Sequence, residues 1–296
     1  MTQRVLCLGE CMVELAPADA GLLRQSFAGD TFNTAWYLRR KLPADWSVDY
    51  FSAVGQDPLS DRLLAFMAEA GFGTTHIRRV PDATVGLYLI SLDRGERSFT
   101  YWRSQSAAKQ LADDPAALER ALAGAALVYF SGITLAILAP ERRVSLLARL
   151  AQARRDGIPV AFDPNRRPRL WPDAATMREQ IAAGAAVSSV VLPSFDEEAA
   201  HEGDADPAAT LARYAALGAD QVIVKNGSQR VHAWAKGQMV VHDPDPVTPV
   251  DSTAAGDSFN AAALACLVQG GSLESALARG AALARHVISG RGALVA

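Results

Sequence analysis

One segment late in the chain places an acid, a glycine and a hydroxyl residue at a spacing that suits phosphate chemistry. It reads Asp251-Ser-Thr253-Ala-Ala-Gly256-Asp257 and opens a helical, Ala-rich pattern over residues 254–268. The first N–H groups of a helix lack intrahelical partners, so with the helix dipole they attract an anion. Asp257 is placed to accept a proton from an alcohol that attacks a phosphate. The segment predicts an anion site with its own base.

The same pattern also fits an ordinary helix start. Thr253 would then be only an N-cap, and Asp257 only a first-turn acid that complements the helix dipole. The sequence contains neither Gly-x-x-x-x-Gly-Lys-Ser/Thr nor Gly-x-Gly-x-x-Gly. These absences argue against a P-loop, a dinucleotide site and a protein-kinase glycine loop. The segment alone leaves both interpretations open.

Two further clusters have groups that suit a sugar acid. Gly29, Asp30 and Asn33 follow a turn before a helix, where carboxylate and amide groups can hydrogen-bond a polyol. A β-rich hairpin carries Tyr88, Tyr101 and, just beyond it, Arg103. Aromatic surface with hydroxyl tips beside a guanidinium suits a carboxylate ligand. A plain helix cap and exposed cross-strand packing are the structural alternatives.

Polar residues also follow two apolar runs that suit strands. Asn165 and Arg167 follow the first run, and Lys225, Gly227 and Ser228 follow the second. Sites of α/β proteins gather at the carboxyl ends of strands. Arginines there can neutralise a triphosphate or a carboxylate, and glycine lets a nucleotide lie against the backbone. A solvated basic loop and a simple strand-to-hairpin turn are the alternatives.

The elements that must position these residues alternate between strands and helices. Short apolar runs suit strands that are buried on both faces, whereas amphipathic stretches at residues 59–70 and 144–154 suit helices. The predicted strands are residues 5–8, 48–54, 127–130, 160–162, 187–192 and 221–224. Alternating βα order predicts an α/β fold with a doubly wound, mostly parallel sheet.

Three other segments complete the predicted element order. Hairpins are predicted at residues 85–90 with 98–102 and at residues 230–234 with 238–242, because β-rich runs flank glycine-containing turns there. A last helix is predicted at residues 273–288, after the glycine pair that ends the helix from residue 254.

Composition excludes several classes of protein. The 296 residues are 50% hydrophobic and 21% charged with a net charge of -3, which is typical of a globular protein and argues against nucleic acid as a partner. No uncharged run is long enough to cross a membrane. Cys7, Cys11 and Cys266 are odd in number and widely spaced, which favours free thiols in a reducing compartment. We therefore expect a cytoplasmic protein, and the histidine and cysteine spacing predicts no zinc site.

Taken in order, these segments resemble the ribokinase-like (PfkB) carbohydrate kinases. The late motif of that family matches residues 251–257, with Ser252 in place of a threonine. The resemblance runs from Gly9-Glu-Cys-Met-Val-Glu-Leu15 through Ala28-Gly-Asp-Thr-Phe-Asn33 to Arg291-Gly-Ala293, and so covers nearly the whole chain.

Four more specific strings resemble the 2-keto-3-deoxygluconate kinase branch of the family. They are Gly86-Leu-Tyr88, residues 95–103, residues 131–138 and residues 165–171. The resemblance implies transfer of the γ-phosphate of ATP to the terminal hydroxyl of the sugar acid, with Asp257 as base and with the amides of Ala254, Ala255, Gly256 and Asp257 stabilising the phosphoryl group. It also implies that the sugar acid is held by Gly29, Asp30, Asn33, Tyr88, Tyr101, Arg103 and Arg167.

The same resemblance implies the domain organisation. Residues 1–296 would form one kinase domain, with a small β lid built from about residues 11–27 and 84–104. The lid of such kinases closes over the sugar and often joins two subunits, so a homo-oligomer is expected.

Nucleotide and metal ligands are implied in the same way. Asn165, Lys225, Gly227 and Ser228 would lie near ATP. Glu197 would act on Mg²⁺ through water, although Ser194 stands where relatives often carry an asparagine. Asp251 and Thr253 would help to bind a monovalent cation such as K⁺, as they do in some relatives.

Two rival functions remain open at this point. A fructokinase or ribokinase would act on a neutral sugar and would not need a cation aimed at a carboxylate. A noncatalytic sugar or nucleotide sensor would keep the fold but not the reaction. The residues also leave open whether the sugar acid has gluconate or galactonate stereochemistry.

Overall fold

The chain forms two β-sheets flanked by α-helices in a computed structural model that describes residues 3–18, 21–93 and 96–295. The strands are β1 (Gln3–Leu8), β2 (Met12–Pro17), β3 (Leu23–Ala28), β4 (Trp46–Val54), β5 (Phe72–Gly73), β6 (Ile77–Arg79), β7 (Leu87–Asp93), β8 (Glu96–Trp102), β9 (Leu127–Ser131), β10 (Val160–Asp163), β11 (Val190–Val191), β12 (Gln221–Val224), β13 (Val231–Ala235) and β14 (Gln238–His242). The helices are α1 (Asp30–Lys41), α2 (Pro58–Glu69), α3 (Pro115–Leu122), α4 (Gly132–Ala136), α5 (Pro140–Arg155), α6 (Ala174–Ala186), α7 (Phe195–Glu202), α8 (Pro207–Ala216), α9 (Ala255–Val268) and α10 (Leu273–Ile288).

The large sheet has the order β14-β13-β12-β11-β10-β9-β1-β4-β5, and β6 also pairs with β4. All its pairs are parallel except β12 with β13 and β13 with β14. The predicted doubly wound, mostly parallel sheet is confirmed. Because the central strands run in one direction, the residues that follow β1, β9, β10 and β12 meet along one edge.

Both faces of the central strands β1, β9, β10 and β12 are buried, which is why these strands are apolar without alternation. In β1, Val5 and Cys7 belong to a core that includes α1, α9 and α10, whereas Leu6 and Leu8 belong to the core formed with α3, α5 and α6. All three cysteines are free and buried. No helix within the described residues is long and apolar enough to cross a membrane.

The small sheet has the order β3-β2-β7-β8 and is built from the two segments predicted for the lid. β7 and β8 form the predicted hairpin and place Tyr88 opposite Tyr101, while residues 94–95 at its tip lie outside the described part. β2 pairs with β7 in parallel, so the sheet joins segments that are far apart in the sequence.

The prediction for residues 187–192 was too long, because only Val190–Val191 is a strand. Val187 instead forms the C-cap of α6, and the Ser188 hydroxyl donates to the Gly184 carbonyl at 2.7 Å. The end of α6 and the start of β11 therefore lie in one apolar run, and the hydrophobic periodicity of the sequence does not show where the helix ends and the strand begins.

The contact between α9 and α10 yields a stability prediction. A β-carbon at Gly280 would come within 2.8 Å of the Phe259 ring, and Phe259 is buried. We expect Gly280→Ala to destabilise the protein by about 1 to 3 kcal/mol, because overpacking outweighs the gain in helix propensity. Urea denaturation measures this. Ala282→Gly, at an exposed site of the same helix, calibrates the propensity effect, and a stabilised Gly280→Ala protein would contradict the packing argument.

Candidate active site

The start of α9 forms the floor of the site. Its N-cap is Ala254, which has a left-handed backbone with φ of 61° and no side-chain capping bond. The Thr253 hydroxyl donates to Asp251 at 2.7 Å instead. The interpretation of Thr253 as an N-cap was therefore wrong. Left-handed backbone costs an alanine on the order of 1 kcal/mol, and such strain gathers at functional sites.

The first turn of α9 has backbone donors and a cation behind it. The Ala255 amide donates to the Ser252 carbonyl at 3.3 Å, whereas helix geometry leaves the amides of Gly256 and Asp257 without intrahelical acceptors. Lys225 Nζ lies 3.6 Å from the position that a β-carbon would take at Gly256. The helix dipole and the ammonium group therefore favour an anion at the same turn.

Asp257 belongs to this first turn of α9, and its side chain contacts Asn33 of α1. The Asn33 Nδ2 group donates to Asp257 Oδ2 at 2.8 Å. Asp257 keeps some exposure, but its withdrawal from water raises its pKa to about 7, and the nearby carboxylates of Asp30 and Asp163 act in the same direction. A carboxylate with this pKa is half ionised near neutral pH and can accept a proton.

The turn before α1 brings the polyol-binding candidates to Asp257. The Asn33 Oδ1 atom accepts from the Gly29 amide at 3.4 Å, and Asp30 accepts from Asn165 at 2.8 Å. Gly29 has an extended backbone and is needed for close approach, because a β-carbon there would come within 2.2 Å of the Glu10 carbonyl oxygen. The turn before α1 thus brings together the residues that follow β1, β3 and β10.

A buried polar cluster, Asp163, Lys225, Asn260 and Tyr129, lies beneath the site. The Lys225 ammonium donates to Asp163 at 2.9 Å and to Asn260 at 3.1 Å. The Asn260 amide donates to Asp163 at 2.6 Å and to the Tyr129 hydroxyl at 3.2 Å. Sequence reasoning placed Lys225 near the nucleotide but missed the other three. The position of Asn260, three residues after Asp257 on one helix face, was the available signal.

Arg167 and Glu197 lie together on the other side of the site. The Arg167 guanidinium donates to Glu197 at 2.7 Å, and the backbone amide of Arg166 donates to the other oxygen of Glu197 at 2.9 Å. Burial raises the pKa of Glu197, Arg167 opposes this, and Asp163 adds to it. Ser194 is the N-cap residue of α7 without a side-chain capping bond, and it pairs with Lys225 through the backbone.

Cross-strand pairing places Glu14, Tyr88 and Tyr101 side by side on the small sheet. Tyr88 is buried and donates its hydroxyl to Glu14 at 2.5 Å, and Ser26 donates to the other oxygen of Glu14 at 2.8 Å. Tyr101 is half exposed, with its ring 5.8 Å from that of Tyr88. Glu14 was missed, although it lies in the string that carries the early family resemblance.

Arg103 is not a free cation in this structure. It forms an ion pair with Glu10, a residue that is 2% exposed, and its guanidinium lies 5.9 Å from the Tyr101 ring. The Arg103 Nε atom and Glu10 Oε1 are both buried without a hydrogen-bond partner among the described residues. Glu10 is therefore a second residue that the sequence reasoning missed.

The remaining candidates lie in two loops. Asp251 accepts from the Thr253 amide at 3.0 Å and from the Gly292 amide at 2.7 Å, so it organises the approach to α9. Gly227, with φ of 55°, and Ser228 are exposed in the turn between β12 and β13. Across residues 3–18, 21–93 and 96–295, no group of three or more His, Cys, Asp or Glu side chains could hold a metal ion.

The fold and this geometry define a class of protein: an α/β enzyme that handles phosphate at the carboxyl edge of its sheet. Residues 2–295 match the family described as "pfkB family carbohydrate kinase", and the chain belongs to that family.

Individual relatives extend over the whole chain. It is 36% identical to the 2-dehydro-3-deoxygluconokinase of Escherichia coli K12, covering 100% of this chain and 98% of that one. It is also 36% identical to the enzyme of that name from Dickeya dadantii, covering 99% and 97%. The crystal structure of the 2-dehydro-3-deoxygluconokinase of Thermotoga maritima superposes with a TM-score of 0.87 at 20% identity, covering 99% and 96%, and thus shares the fold.

The raised pKa of Asp257 yields a prediction about stability. Its folded pKa of about 7 exceeds the ordinary value of 3.8, so the charged form is disfavoured in the folded state. Stability should therefore fall as pH rises from about 4 to about 7. We expect Asp257→Asn to raise the melting temperature by about 2 °C or more at pH 8 and by less at pH 5. Scanning calorimetry measures both values. Asp45→Asn, at an exposed site, is the control, and equal effects at both pH values would contradict the argument.

Proposed function

We propose that this protein transfers the γ-phosphate of ATP to the terminal hydroxyl of 2-keto-3-deoxy-D-gluconate, which is another name for 2-dehydro-3-deoxygluconate. The products are 2-keto-3-deoxy-6-phosphogluconate and ADP. The observation that carries the proposal is the contact of Asp257, a base with a pKa of about 7, with Asn33 beside the first turn of α9. Full-length similarity to two enzymes with this activity in their names supports the choice of substrate.

The sugar acid is proposed to lie between the small sheet and the start of α1. Its hydroxyls would bond to Gly29, Asp30 and Asn33, and its carbon chain would lie against the rings of Tyr88 and Tyr101. Arg103 and Arg167 would bind the carboxylate and the neighbouring oxygens. The support for Arg167 is geometric: its side chain is 49% exposed, and Glu197 accepts from one of its guanidinium nitrogens.

The transfer itself follows from the arrangement at α9. Asp257 takes the proton of the terminal hydroxyl while the new O–P bond forms and the bond from the γ-phosphorus to the β-phosphate oxygen breaks. The amides of Gly256 and Asp257, with those of Ala254 and Ala255 nearby, and the Lys225 ammonium favour the negative charge of the phosphoryl group. Positioning and electrostatics supply most of the rate in such reactions.

ATP is proposed to lie over the carboxyl ends of β10 and β12. Asn165 and Lys225 would face its phosphates, and the exposed turn with Gly227 and Ser228 would face the nucleoside. The carboxylates of Glu197 and Asp163 give the oxygen-rich surroundings that Mg²⁺ prefers, with Glu197 acting through water. Magnesium bound there would neutralise charge on the phosphates.

Two further parts of the proposal concern the loop before α9 and the small sheet. A monovalent cation such as K⁺ would bind beside Asp251 and Thr253, where the loop turns toward the anion site. The small sheet would act as a lid over the sugar and would pair with that of a second copy. Its exposed side chains Phe99, Tyr101 and Trp102 give apolar area for such a contact.

Removing the base tests the mechanism. We expect Asp257→Asn to lower kcat by about 100-fold to 10,000-fold, which is the range for loss of general-base catalysis, with ATP binding unchanged. The kcat of the wild-type protein should rise with pH through about 7, because Asp257 must be ionised to act. Coupled assays of ADP formation and calorimetric titration with ATP measure the two quantities. Turnover near the wild-type value with Asp257→Asn would contradict the role of base.

Removing the cations tests the substrate. We expect Arg103→Ala and Arg167→Ala to weaken binding of the transition state for the sugar acid by about 1.5 to 3 kcal/mol, because a charge-assisted bond is lost. Measured kcat/KM for fructose and ribose should fall much less. Arg169→Ala, which removes a neighbouring exposed arginine, is the control. A wild-type preference for a neutral sugar would favour a fructokinase or ribokinase, and no sugar-dependent ADP formation would favour a sensor.

A further inference from the structure

A buried ion cluster lies directly behind the Arg167–Glu197 pair and is not used by the proposed mechanism. We define it as Arg166, Glu198, Glu202, Arg213 and Asp204. Arg166 donates to Glu198 through Nε at 3.2 Å and through Nη2 at 2.8 Å, and it also pairs with Glu202 at 2.7 Å. Arg213 pairs with Glu198 at 2.6 Å and with Asp204 at 2.7 Å. The side chains of Arg166 and Glu198 are both fully buried, at 0% exposure.

Holding the loop after β10 against α7 with such a cluster is unfavourable, because the charges must be withdrawn from water. Burying two charges costs several kcal/mol per ion, and replacing a buried pair with well-packed apolar residues is often neutral or stabilising. The cluster is also incompletely satisfied, because Arg166 Nη1 is buried without a partner among the described residues. A bidentate pair, unlike an apolar contact, has a fixed orientation. The planar guanidinium sets both the distance and the angle to its carboxylate.

The orientation of the buried pair also sets the positions of the residues next to it in the sequence. Arg166 and Arg167 are neighbours in the loop after β10, and Glu197 and Glu198 are neighbours in the first turn of α7. The buried pair joins Arg166 to Glu198, and one residue away Arg167, at the surface, pairs with the partly buried Glu197. The Arg166 amide closes the connection by donating to Glu197 at 2.9 Å. Shifting the buried pair would therefore shift Arg167 and Glu197 together.

The loop needs such support because its backbone is strained. Asn165 has a positive φ of 32°, which is unusual for a residue other than glycine. Asn165 and Arg166 are both buried, so the loop turns sharply inside the protein before Arg167 emerges at the surface. Strained backbone persists only where its surroundings hold it, and the ion cluster provides that hold on the far side of the turn.

We propose that Arg166 and Glu198 are positioning residues that set the places of Arg167 and Glu197 for the sugar acid and for magnesium. The proposal rests on the functions proposed above for Arg167 and Glu197. It predicts that loss of the cluster changes the sugar-acid KM and the magnesium dependence together while the fold persists. A purely structural cluster would change only stability.

The test uses a double variant, Arg166→Met with Glu198→Leu, which replaces the charged pair with apolar residues. We expect it to stay folded by circular dichroism. The Mg²⁺ concentration for half-maximal rate and the KM for 2-keto-3-deoxygluconate should both rise roughly 10-fold to 100-fold, the scale expected when supporting geometry is lost. The KM for ATP at saturating magnesium should change much less. A folded double variant with wild-type values of both constants would overturn the proposal.

Two further variants separate the outcomes. If the double variant does not fold, Glu198→Gln replaces it, because glutamine keeps the size of the side chain and one acceptor oxygen. A rise in both the sugar-acid KM and the Mg²⁺ concentration for half-maximal rate would support the proposal, and wild-type values of both would overturn it. Arg4→Met removes an ion pair with Asp49 at the start of β1, away from the site, and should lower stability without changing either constant. A wild-type protein that is inactive on the sugar acid would overturn the proposed substrate alone, because the variants would then be compared on whichever sugar is phosphorylated.

Discussion

The ion pair between Lys225 and Asp163 is the interaction on which the rest of the site depends. It joins the residue after β12 to the last residue of β10, and Asn260 of α9 bonds to both partners. A buried ammonium without a counter-charge would be costly, so these three elements must meet for the protein to be stable. Their meeting point is also where the first turn of α9 faces the cleft. Stability and the placing of an anion site therefore have the same physical cause.

Burial and nearby charge together explain why Asp257 can be a base. Burial does most to raise the pKa of Asp257, and the carboxylates of Asp30 and Asp163 raise it further, whereas Asn33 and Lys225 lower it. These opposing effects leave the pKa of Asp257 at about 7, so near neutral pH the carboxyl is neither fully ionised nor fully protonated. A base of this kind needs no histidine, because surroundings shift an ordinary carboxylate into the useful range.

Much of this architecture could be predicted from the sequence. The apolar runs at β1, β9, β10 and β12 are short and strongly apolar, so their type was clear, and the glycine-acid segment at the start of α9 signalled the helix start. Lateral contacts could not be predicted in this way. Nothing near Asn260 or Glu198 in the sequence shows that they meet Lys225 or Arg166, since these pairs join different elements. Likewise, Arg103 looked like a free cation until Glu10, 93 positions earlier, was placed beside it.

The hydrogen bond between Asn33 and Asp257 also constrains how the chain is made. Its partners are 224 positions apart, and α9 covers the face of the sheet to which Val5 and Cys7 point. During synthesis on the ribosome, the first strands emerge long before the helix that covers them, so an apolar face stays open until nearly the whole polypeptide has left the exit tunnel. Chains that end early would lack the base and expose this face, which makes them targets for chaperones and proteases.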